Sequence, residues 1–302
     1  MKAIDIVGIP IDLGAGRRGV DMGPSAFRIA NIGGQVSALG YTVNDHGDIP
    51  VPIPELIGIR DQRARYVSEI GGVCEALHRK VQDSLLSGNL ALSLGGDHSL
   101  AIGSVAGSAT AMRRKNRSLS LLWVDAHADM NTPESTKSGN VHGMPLACIL
   151  GKGPAELVEI GGFSPKVDSN QCAVIGLRNL DESEKDIVRR SGVHAFTMKD
   201  IDRRGIAAVM EEALDLICSE GAELHVSFDM DGIDPAVSPG VGTPVRGGLS
   251  YREAHLLMEM VADSKKLAAL DVVEVNPILD HQNSTAVLGC ELILSALGKK
   301  IL

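Results

Sequence analysis

Eight short apolar runs recur along the chain, and most of the segments between them place apolar residues at helical spacing. Runs of this kind, rich in Val, Ile and Leu, are typical of strands that are buried on both faces. The pattern predicts strands at Ala3–Ile9, Tyr41–Asn44, Leu90–Leu94, Leu119–Val124, Ala173–Leu177, His194–Thr197, Leu224–Phe228 and Leu267–Val275.

Three of the intervening segments have a clear helical pattern. Arg63–Leu86 is long and amphipathic, and Lys199–Ser219 and Tyr251–Asp263 carry apolar residues at positions i, i+3 and i+4. A further helix is expected to start near Ser25, because the preceding proline suits a first helical turn. Strands that alternate with helices predict an α/β fold, in which helices cover both faces of a mainly parallel sheet. No linker-like stretch divides the sequence, so the whole 302-residue chain is expected to form one domain.

Charged and imidazole side chains follow three of the predicted strands. The fourth strand runs directly into Asp125-Ala126-His127-Ala128-Asp129. Residues two apart in an extended segment point to the same side, so two carboxylates and one imidazole would share a small volume. Without a cation these groups would repel one another and be poorly solvated. The segment therefore predicts a divalent metal site.

The same chemistry recurs after two other strands. His98 lies in a turn after the third strand, and Asp229 and Asp231 follow the seventh at a spacing of two. Carboxyl ends of parallel strands form the usual site in such sheets. Six ligands without cysteine are too many for a tetrahedral zinc ion and suit two ions, with manganese favoured and cobalt or iron able to substitute. The candidate ligands are two imidazoles and four carboxylates: His98, Asp125, His127, Asp129, Asp229 and Asp231.

Composition indicates which kinds of binding partner and which cellular compartment to expect. The net charge is −9 and the basic runs are short, which argues against nucleic acid as a partner. No apolar stretch approaches the roughly 18 residues of a membrane span. The five cysteines are scattered and show no paired spacing, which is typical of free thiols in a reducing compartment. The chain is therefore expected to be cytoplasmic, without membrane association.

Residues 14–19 match the G-x-G-x-x-G pattern of dinucleotide-binding loops. In such loops a helix begins within the motif, whereas here Val20–Pro24 delay the helix. A loop at the rim of a site is the better interpretation. Two long irregular segments, Met130–Gly143 and Asp231–Gly248, directly continue the ligand segments and are expected to form the rest of that rim.

A set of longer motifs runs through the chain: RRGVDMGPSAFR (Arg17–Arg28), GGDHS (Gly95–Ser99), DAHADMNT (Asp125–Thr132), SGNVHGMP (Ser138–Pro145), SFDMDGIDP (Ser227–Pro235), GTPVRGGLSYRE (Gly242–Glu253) and EVNP (Glu274–Pro277). Together these motifs resemble the ureohydrolase family, and within it the arginases. The resemblance extends from about residue 4 to the C-terminus. It implies a three-layer α/β/α sandwich with a central eight-stranded, mostly parallel sheet and two manganese ions per subunit.

The resemblance also implies a reaction. Members of this family convert L-arginine and water to L-ornithine and urea, by attack of a metal-bridging hydroxide on the guanidinium carbon. The family is oligomeric, which implies a homotrimer or a homohexamer. The two implied ligand sets share their bridging carboxylates: His98, Asp125, Asp129 and Asp229 for one ion, and Asp125, His127, Asp229 and Asp231 for the other.

Further roles follow from the resemblance. Glu274 would orient the guanidinium group through a charge-assisted hydrogen bond. Asp129 would pass a proton to the leaving amine, and His142 would act as a proton shuttle. Asp181 and Glu184 would contact the α-ammonium group. The remaining substrate-binding positions are Thr243 and four loop residues whose neutral donors would bind the α-carboxylate: Asn131, Thr136, Ser138 and Asn140.

Related enzymes hydrolyse agmatine through the same metal core, and agmatine lacks the carboxylate that the polar loop would recognise. L-arginine is therefore the expected substrate. Asn179 stands where some arginases carry Asp, which leaves one contact to the amino end open. A catalytically inactive arginine-binding protein is a third interpretation, disfavoured because the ligand set, Glu274 and His142 are all intact. The other histidines, such as His225 in a predicted strand, are expected to be packed or solvated and have no assigned role.

Overall fold

One sheet organises the computed structural model, which describes residues 3–218 and 220–300. Its strands are β1 (Ala3–Ile9), β2 (Thr42–Asp48), β3 (Leu90–Gly95), β4 (Leu119–Val124), β5 (Cys172–Leu177), β6 (His194–Thr197), β7 (Glu223–Asp229) and β8 (Leu267–Val273). Their order across the eight-stranded sheet is β2-β1-β3-β8-β7-β4-β5-β6, and all neighbouring strands run parallel. The predicted α/β class with a mostly parallel sheet is confirmed.

Helices cover both faces of the sheet. They are α1 (Gly23–Ile29), α2 (Ile32–Ala38), α3 (Val67–Leu86), α4 (Ala101–Arg114), α5 (Pro145–Ile149), α6 (Ala155–Val158), α7 (Glu182–Ser191), α8 (Met198–Arg204), α9 (Ile206–Ile217), α10 (Tyr251–Ser264) and α11 (Ser284–Ala296). Leu122 and Val124 of β4 pack in a core with α1, α2 and α8 to α11, whereas Leu121 and Trp123 pack in a second core with α3 to α7. The three-layer sandwich is therefore confirmed. Within residues 3–218 and 220–300, no helix combines the length and apolar character that crossing a bilayer requires.

Most predicted strands agree with the structure to within one residue at either end. The exceptions are β2 and β8. The second strand extends to Asp48, and as an edge strand it exposes most of its side chains, so it lacks the apolar pattern of a buried strand. The last strand ends at Val273 because Glu274 adopts a left-handed conformation with φ 64°.

The helix boundaries depart further from the predictions. The long helix begins at Val67, after Tyr66 turns the chain with φ 55°. The prediction of one helix over Lys199–Ser219 is wrong, because Gly205, at φ 79° and ψ 151°, separates α8 from α9. The predicted end of that helix, Ser219, lies outside the described residues.

The centre of the sheet positions the site. The strands β3, β8, β7 and β4 are neighbours there, although they are far apart in the sequence. Their carboxyl ends carry His98, Glu274, Asp229 and Asp125 respectively. The strand order therefore brings the separate motifs to one edge of the sheet, which is the usual location of sites in parallel α/β folds.

Candidate metal centre

The ends of β4 and β7 form the same local turn. The Asp125 Oδ1 atom accepts a hydrogen bond of 2.7 Å from the His127 backbone N–H, and Asp229 Oδ1 accepts one of 2.7 Å from the Asp231 N–H. A carboxylate that accepts from the backbone two residues ahead forms an Asx turn, which aspartate favours. Each turn folds the chain back so that alternate side chains converge, with the second oxygen of each aspartate facing the site.

His98 lies at the centre of the first group of ligands. Its Nδ1 atom is 3.1 Å from Asp125 Oδ2, 3.3 Å from Asp129 Oδ2 and 3.2 Å from Asp229 Oδ2. All four side chains are buried. Asp129 reaches this position from a left-handed backbone conformation with φ 51°, which is unusual for a residue other than glycine and typical of functional sites.

His127 lies at the centre of the second group. Its Nδ1 atom is 3.3 Å from Asp125 Oδ1 and 3.2 Å from Asp231 Oδ2. Asp125 is thus shared, because one of its oxygens faces each histidine. The six candidate ligands form two adjoining groups, and two sets of three within them have the mutual spacing that a metal ion requires: His98, Asp125 and Asp229, and Asp125, His127 and Asp231.

Several carboxylates of like charge are buried close together in the cluster, and their repulsion shifts their pKa values. Burial and the charge of Asp125 raise the pKa of Asp129 to about 7. Burial and neighbouring carboxylates also raise the pKa values of Asp229 and Asp231. Burial lowers the pKa of His127, but the charge of Asp231 outweighs it and raises that pKa to about 12. Divalent cations among these groups would remove the repulsion and favour the ionised carboxylates.

A second observation also indicates that the six candidate ligands suit divalent cations. The buried Nδ1 atom of His98 has no aligned hydrogen-bond partner among the described residues, although three carboxylate oxygens surround it. A buried nitrogen without such a partner is expensive unless it binds something. Imidazole nitrogen and carboxylate oxygen form a donor set that manganese accepts.

Trp123 is a site residue that the sequence reasoning missed. Its ring stacks on His98 with the ring centroids 4.0 Å apart and the planes 9° from parallel. Its indole N–H also donates to Asp125 Oδ2 over 3.1 Å. The signal was its position two residues before Asp125 in an extended strand, which places both side chains on the same side.

A cavity of about 200 Å³ opens over the cluster. Glu274 and His142 form one wall, where Glu274 Oε1 accepts hydrogen bonds from the His98 backbone N–H at 3.0 Å and from His142 Nδ1 at 2.9 Å. The other oxygen, Oε2, is buried and has no hydrogen-bond partner within the described chain. Glu274, which lines the cavity, therefore has one carboxylate oxygen that no hydrogen bond of the described chain satisfies.

The structure places some of the predicted substrate-binding residues around this cavity and others away from it. The cavity is lined by five of them: Asn131, Asp181, Glu184, Thr243 and Glu274. Asn140 lines an adjoining cleft of about 430 Å³. Thr136 and Ser138, although described, line neither space, and their hydroxyl oxygens accept hydrogen bonds from backbone N–H groups of their own loop.

Three cavity residues also contact neighbours that shape the site. The Thr243 hydroxyl donates to Asp231 Oδ2 over 2.8 Å. Glu184 Oε1 accepts a hydrogen bond of 3.0 Å from the Met130 backbone N–H, which anchors the following loop. The Asn179 amide nitrogen lies 3.5 Å from His127 Nε2.

The glycine-rich segment of residues 14–19 is a rim loop, as predicted. The Gly14 N–H donates to Asp97 Oδ2 over 2.8 Å, and the Gly14 carbonyl accepts from the His142 N–H over 3.2 Å. Arg17 lines the adjoining cleft, and α1 starts only at Gly23. This geometry positions His142 and does not form a dinucleotide site.

Comparisons with known proteins agree on one family. The model of the family described as "Arginase family" matches residues 2–298. The arginase of Bacillus caldovelox is 46% identical over the full length of both chains, and its native structure superimposes with a TM-score of 0.95 at 45% identity over 100% of both chains. The arginase of Bacillus subtilis strain 168 is 46% identical over 100% of this chain and 99% of its own. A structure of Entamoeba histolytica arginase in complex with L-ornithine matches with a TM-score of 0.89 at 31% identity, covering 99% of this chain and 100% of that one.

Proposed function

We propose that this chain, which belongs to the arginase family, converts L-arginine and water to L-ornithine and urea at a pair of divalent metal ions. One observation carries the proposal. Glu274, one of whose carboxylate oxygens has no partner in the described chain, lines a small cavity together with His127, Asp129 and Asp229 of the buried cluster. A planar cation with N–H donors, such as guanidinium, is the ligand that such a carboxylate prefers.

Two manganese ions are proposed as the cofactor, with cobalt or iron able to substitute. His98 and Asp129 would hold one ion and His127 and Asp231 the other, with Asp125 and Asp229 shared. When bound, the two ions would supply Lewis acidity that activates water at neutral pH. The sharing of Asp125 is supported by its contacts with both histidines.

The residues of the cavity wall would orient the substrate and move protons. Glu274 Oε2 would accept a guanidinium N–H and so present the planar carbon to the cluster. Burial lowers the pKa of His142, but Glu274 outweighs it and raises that pKa to about 9, so the imidazole can carry a proton at neutral pH. Asp129 would deliver a proton to the side-chain nitrogen of ornithine as the bond between that nitrogen and the guanidinium carbon breaks.

The far end of the cavity would recognise the amino-acid group. Asp181 and Glu184 would supply negative charge for the α-ammonium group, while Asn131 in the cavity and Asn140 in the adjoining cleft would offer neutral hydrogen-bonding groups. Thr243 would contribute from beside Asp231, to which its hydroxyl donates. Thr136 and Ser138 lie on the loop between Asn131 and Asn140 but line neither space. A site that binds the carboxylate by hydrogen bonds would reject an analogue that lacks it.

Agmatine hydrolysis is the second candidate function. It is favoured by the position of Thr136 and Ser138 outside both spaces, since this weakens the case for carboxylate recognition by the loop.

The test measures urea release from L-arginine and from agmatine, supplied separately to the manganese-loaded protein. We expect urea from L-arginine only, and we expect Asn131→Ala to raise KM for L-arginine about tenfold, the effect of losing ~1.4 kcal/mol of binding. The matched control is Asn170→Ala, an exposed asparagine just before β5 and therefore at the opposite edge of the sheet from the cavity. Urea from agmatine instead would establish the second candidate, and no urea from either substrate would refute both.

Two further properties are proposed with this function. The protein is expected to be a homotrimer or a homohexamer, which light scattering would distinguish by mass. The cytoplasm is the proposed location, supported by five cysteines that form no disulfide.

A further inference from the structure

A row of buried polar side chains crosses the sheet just before the candidate ligands. Register pairs Asp271 of β8 with Ser227 of β7, and Ser227 with Trp123 of β4. Paired residues of neighbouring strands point to the same face of the sheet. All three side chains are fully buried, and Ser227 lies two residues before Asp229. A carboxylate in such a position is costly unless hydrogen bonds compensate for its lost hydration.

Hydrogen bonds link this row to His98. The His98 Nε2 atom lies 2.9 Å from Ser227 Oγ, and the Ser227 hydroxyl donates to Asp271 Oδ2 over 3.4 Å. The same carboxylate oxygen accepts from the Ser104 hydroxyl at 2.5 Å and faces His225 Nε2 at 2.9 Å. His98 is therefore connected through one serine to a buried carboxylate.

The connection ends at a histidine that the sequence reasoning left without a role. His225 Nδ1 lies 2.8 Å from Ser108 Oγ, so both nitrogens of this ring have partners. His225, Ser104 and Ser108 are fully buried. Burial raises the pKa of Asp271, but the charge of His225 and the surrounding hydrogen bonds outweigh it and keep that pKa below its usual value. Asp271 is thus an ionised group that can only accept hydrogen bonds.

The direction of these hydrogen bonds determines where the His98 proton lies. Because Asp271 can only accept, the Ser227 hydroxyl donates to it and leaves its own lone pair for His98. His98 must then carry its proton on Nε2, so that Nδ1 offers a lone pair to the aspartate cluster. Stacking on Trp123 fixes the plane of the ring. We propose that Asp271, acting through Ser227, is a positioning residue that holds His98 in the tautomer required for metal binding.

The effect should be confined to one of the two metal positions. Among the residues that the structure describes, the outer nitrogen of His127 has the Asn179 amide nitrogen as its one hydrogen-bonding neighbour, at 3.5 Å, and the His127 side chain is 24% exposed. Water can therefore satisfy that nitrogen. This inference rests on the proposed metal pair and goes beyond it, because it predicts unequal dependence of the two ions on buried groups.

The test compares two buried serines that donate to the same carboxylate oxygen. Ser227→Ala breaks the link to His98, whereas Ser104→Ala removes a hydroxyl from Asp271 Oδ2 without touching His98. We expect Ser227→Ala to weaken the binding of one manganese ion about 10- to 100-fold, the effect typical of losing such an outer partner. Manganese content after equilibrium dialysis gives the affinities, and electron paramagnetic resonance distinguishes a coupled pair of ions from a single ion.

Each outcome has a separate meaning. Two ions in the unaltered protein and in Ser104→Ala, with one weakened in Ser227→Ala, would support the proposal. Equal titrations for both variants would overturn it and leave the proposed metal pair intact. Fewer than two ions in the unaltered protein would overturn both. Asp271→Asn provides a second variant, expected to weaken the same ion at least as much, and Ser227→Ala decides the matter if that protein does not fold.

Discussion

Glu274 shows how one backbone conformation serves several parts of the site. Its left-handed φ of 64° ends β8 and turns the side chain between His98 and His142. A conformation of this kind costs on the order of 1–3 kcal/mol and persists only when the surroundings compensate. Here the compensation includes a hydrogen bond of 2.8 Å from the Glu274 N–H to the Gly96 carbonyl and two donors to Oε1.

The pairing of Glu274 with His142 predicts a pH dependence of stability. Because the pKa of His142 is raised to about 9, its charge pair contributes fully below pH ~6.5 and is lost as the pH rises through 9. In metal-depleted protein, Glu274→Gln should therefore be destabilised most below pH ~6.5, and the difference in unfolding free energy should shrink by pH 9. Urea denaturation across this range measures it.

Glu184→Gln is the matched control for that measurement, since Glu184 lines the same cavity and bonds to the Met130 backbone instead of a histidine. Its destabilisation should not show the same loss between pH 6.5 and 9. A constant difference between Glu274→Gln and the unaltered protein over this range would contradict the pairing.

At the scale of single residues, the sequence predicted the candidate ligands but not the residues that hydrogen-bond to them. The candidate ligands follow buried strands, and all except His98 do so at a spacing of two, a local pattern that needs no knowledge of the rest of the fold. Thr243, by contrast, donates to Asp231 from a loop position that spacing alone does not relate to it. The resemblance implied Thr243 as a substrate contact, while the structure adds its hydrogen bond to a ligand.

The end of α10 gives a prediction at the scale of an element. Lys265 caps this helix in a left-handed conformation with φ 57°, and its N–H donates to the Ala262 carbonyl. Glycine adopts that conformation without the penalty of a β-carbon. Lys265→Gly should therefore stabilise the protein by roughly 0.5–1 kcal/mol, measured as the free energy of unfolding in urea. Lys265→Ala retains the β-carbon and should give no gain, and equal effects of both variants would contradict the explanation.

Elements were predictable where burial dominates and less so where single residues turn the chain. The predicted bounds of β1, β4 and β6 are those of the structure. β1 is followed by Pro10, and β4 lies between Ser118 and Asp125, so both strands end where their apolar run ends. The break at Gly205 was not readable, since apolar residues continue at helical spacing on both sides of it. A single glycine within a helical pattern is compatible with both outcomes.

At the scale of the molecule, strand order explains what the sequence could not show. Motifs at the ends of β3, β4, β7 and β8 pointed to one edge of a parallel sheet, whatever the order of the strands. The buried link from His98 to Asp271 depends on β7 and β8 lying between β3 and β4 and on their register. Neither is encoded in a local pattern, so the sequence did not single out Asp271 and left His225 without a role.

The shared position of Asp125 leads to a prediction for the whole protein. Ions that bind the folded chain alone stabilise it, by about 2.7 kcal/mol for each ion at one hundred times its Kd. Removing both manganese ions should therefore lower Tm by roughly 10 °C, taking ~2 °C per kcal/mol for a chain of this size. Calorimetry with and without added manganese measures the difference.

Variants at two aspartates distinguish a ligand that both ions would share from a ligand that only one ion would use. Asp125→Asn alters the group that faces both histidines, whereas Asp129 contacts only His98 among the two. Asp125→Asn should therefore abolish most of the manganese-dependent rise in Tm, while Asp129→Asn should keep about half of it, because the His127 group remains complete. A full rise in Asp125→Asn would show that the two ions do not share this carboxylate. Equal loss in both variants would mean that the two positions fill only together, since Asp129 does not contact the second group.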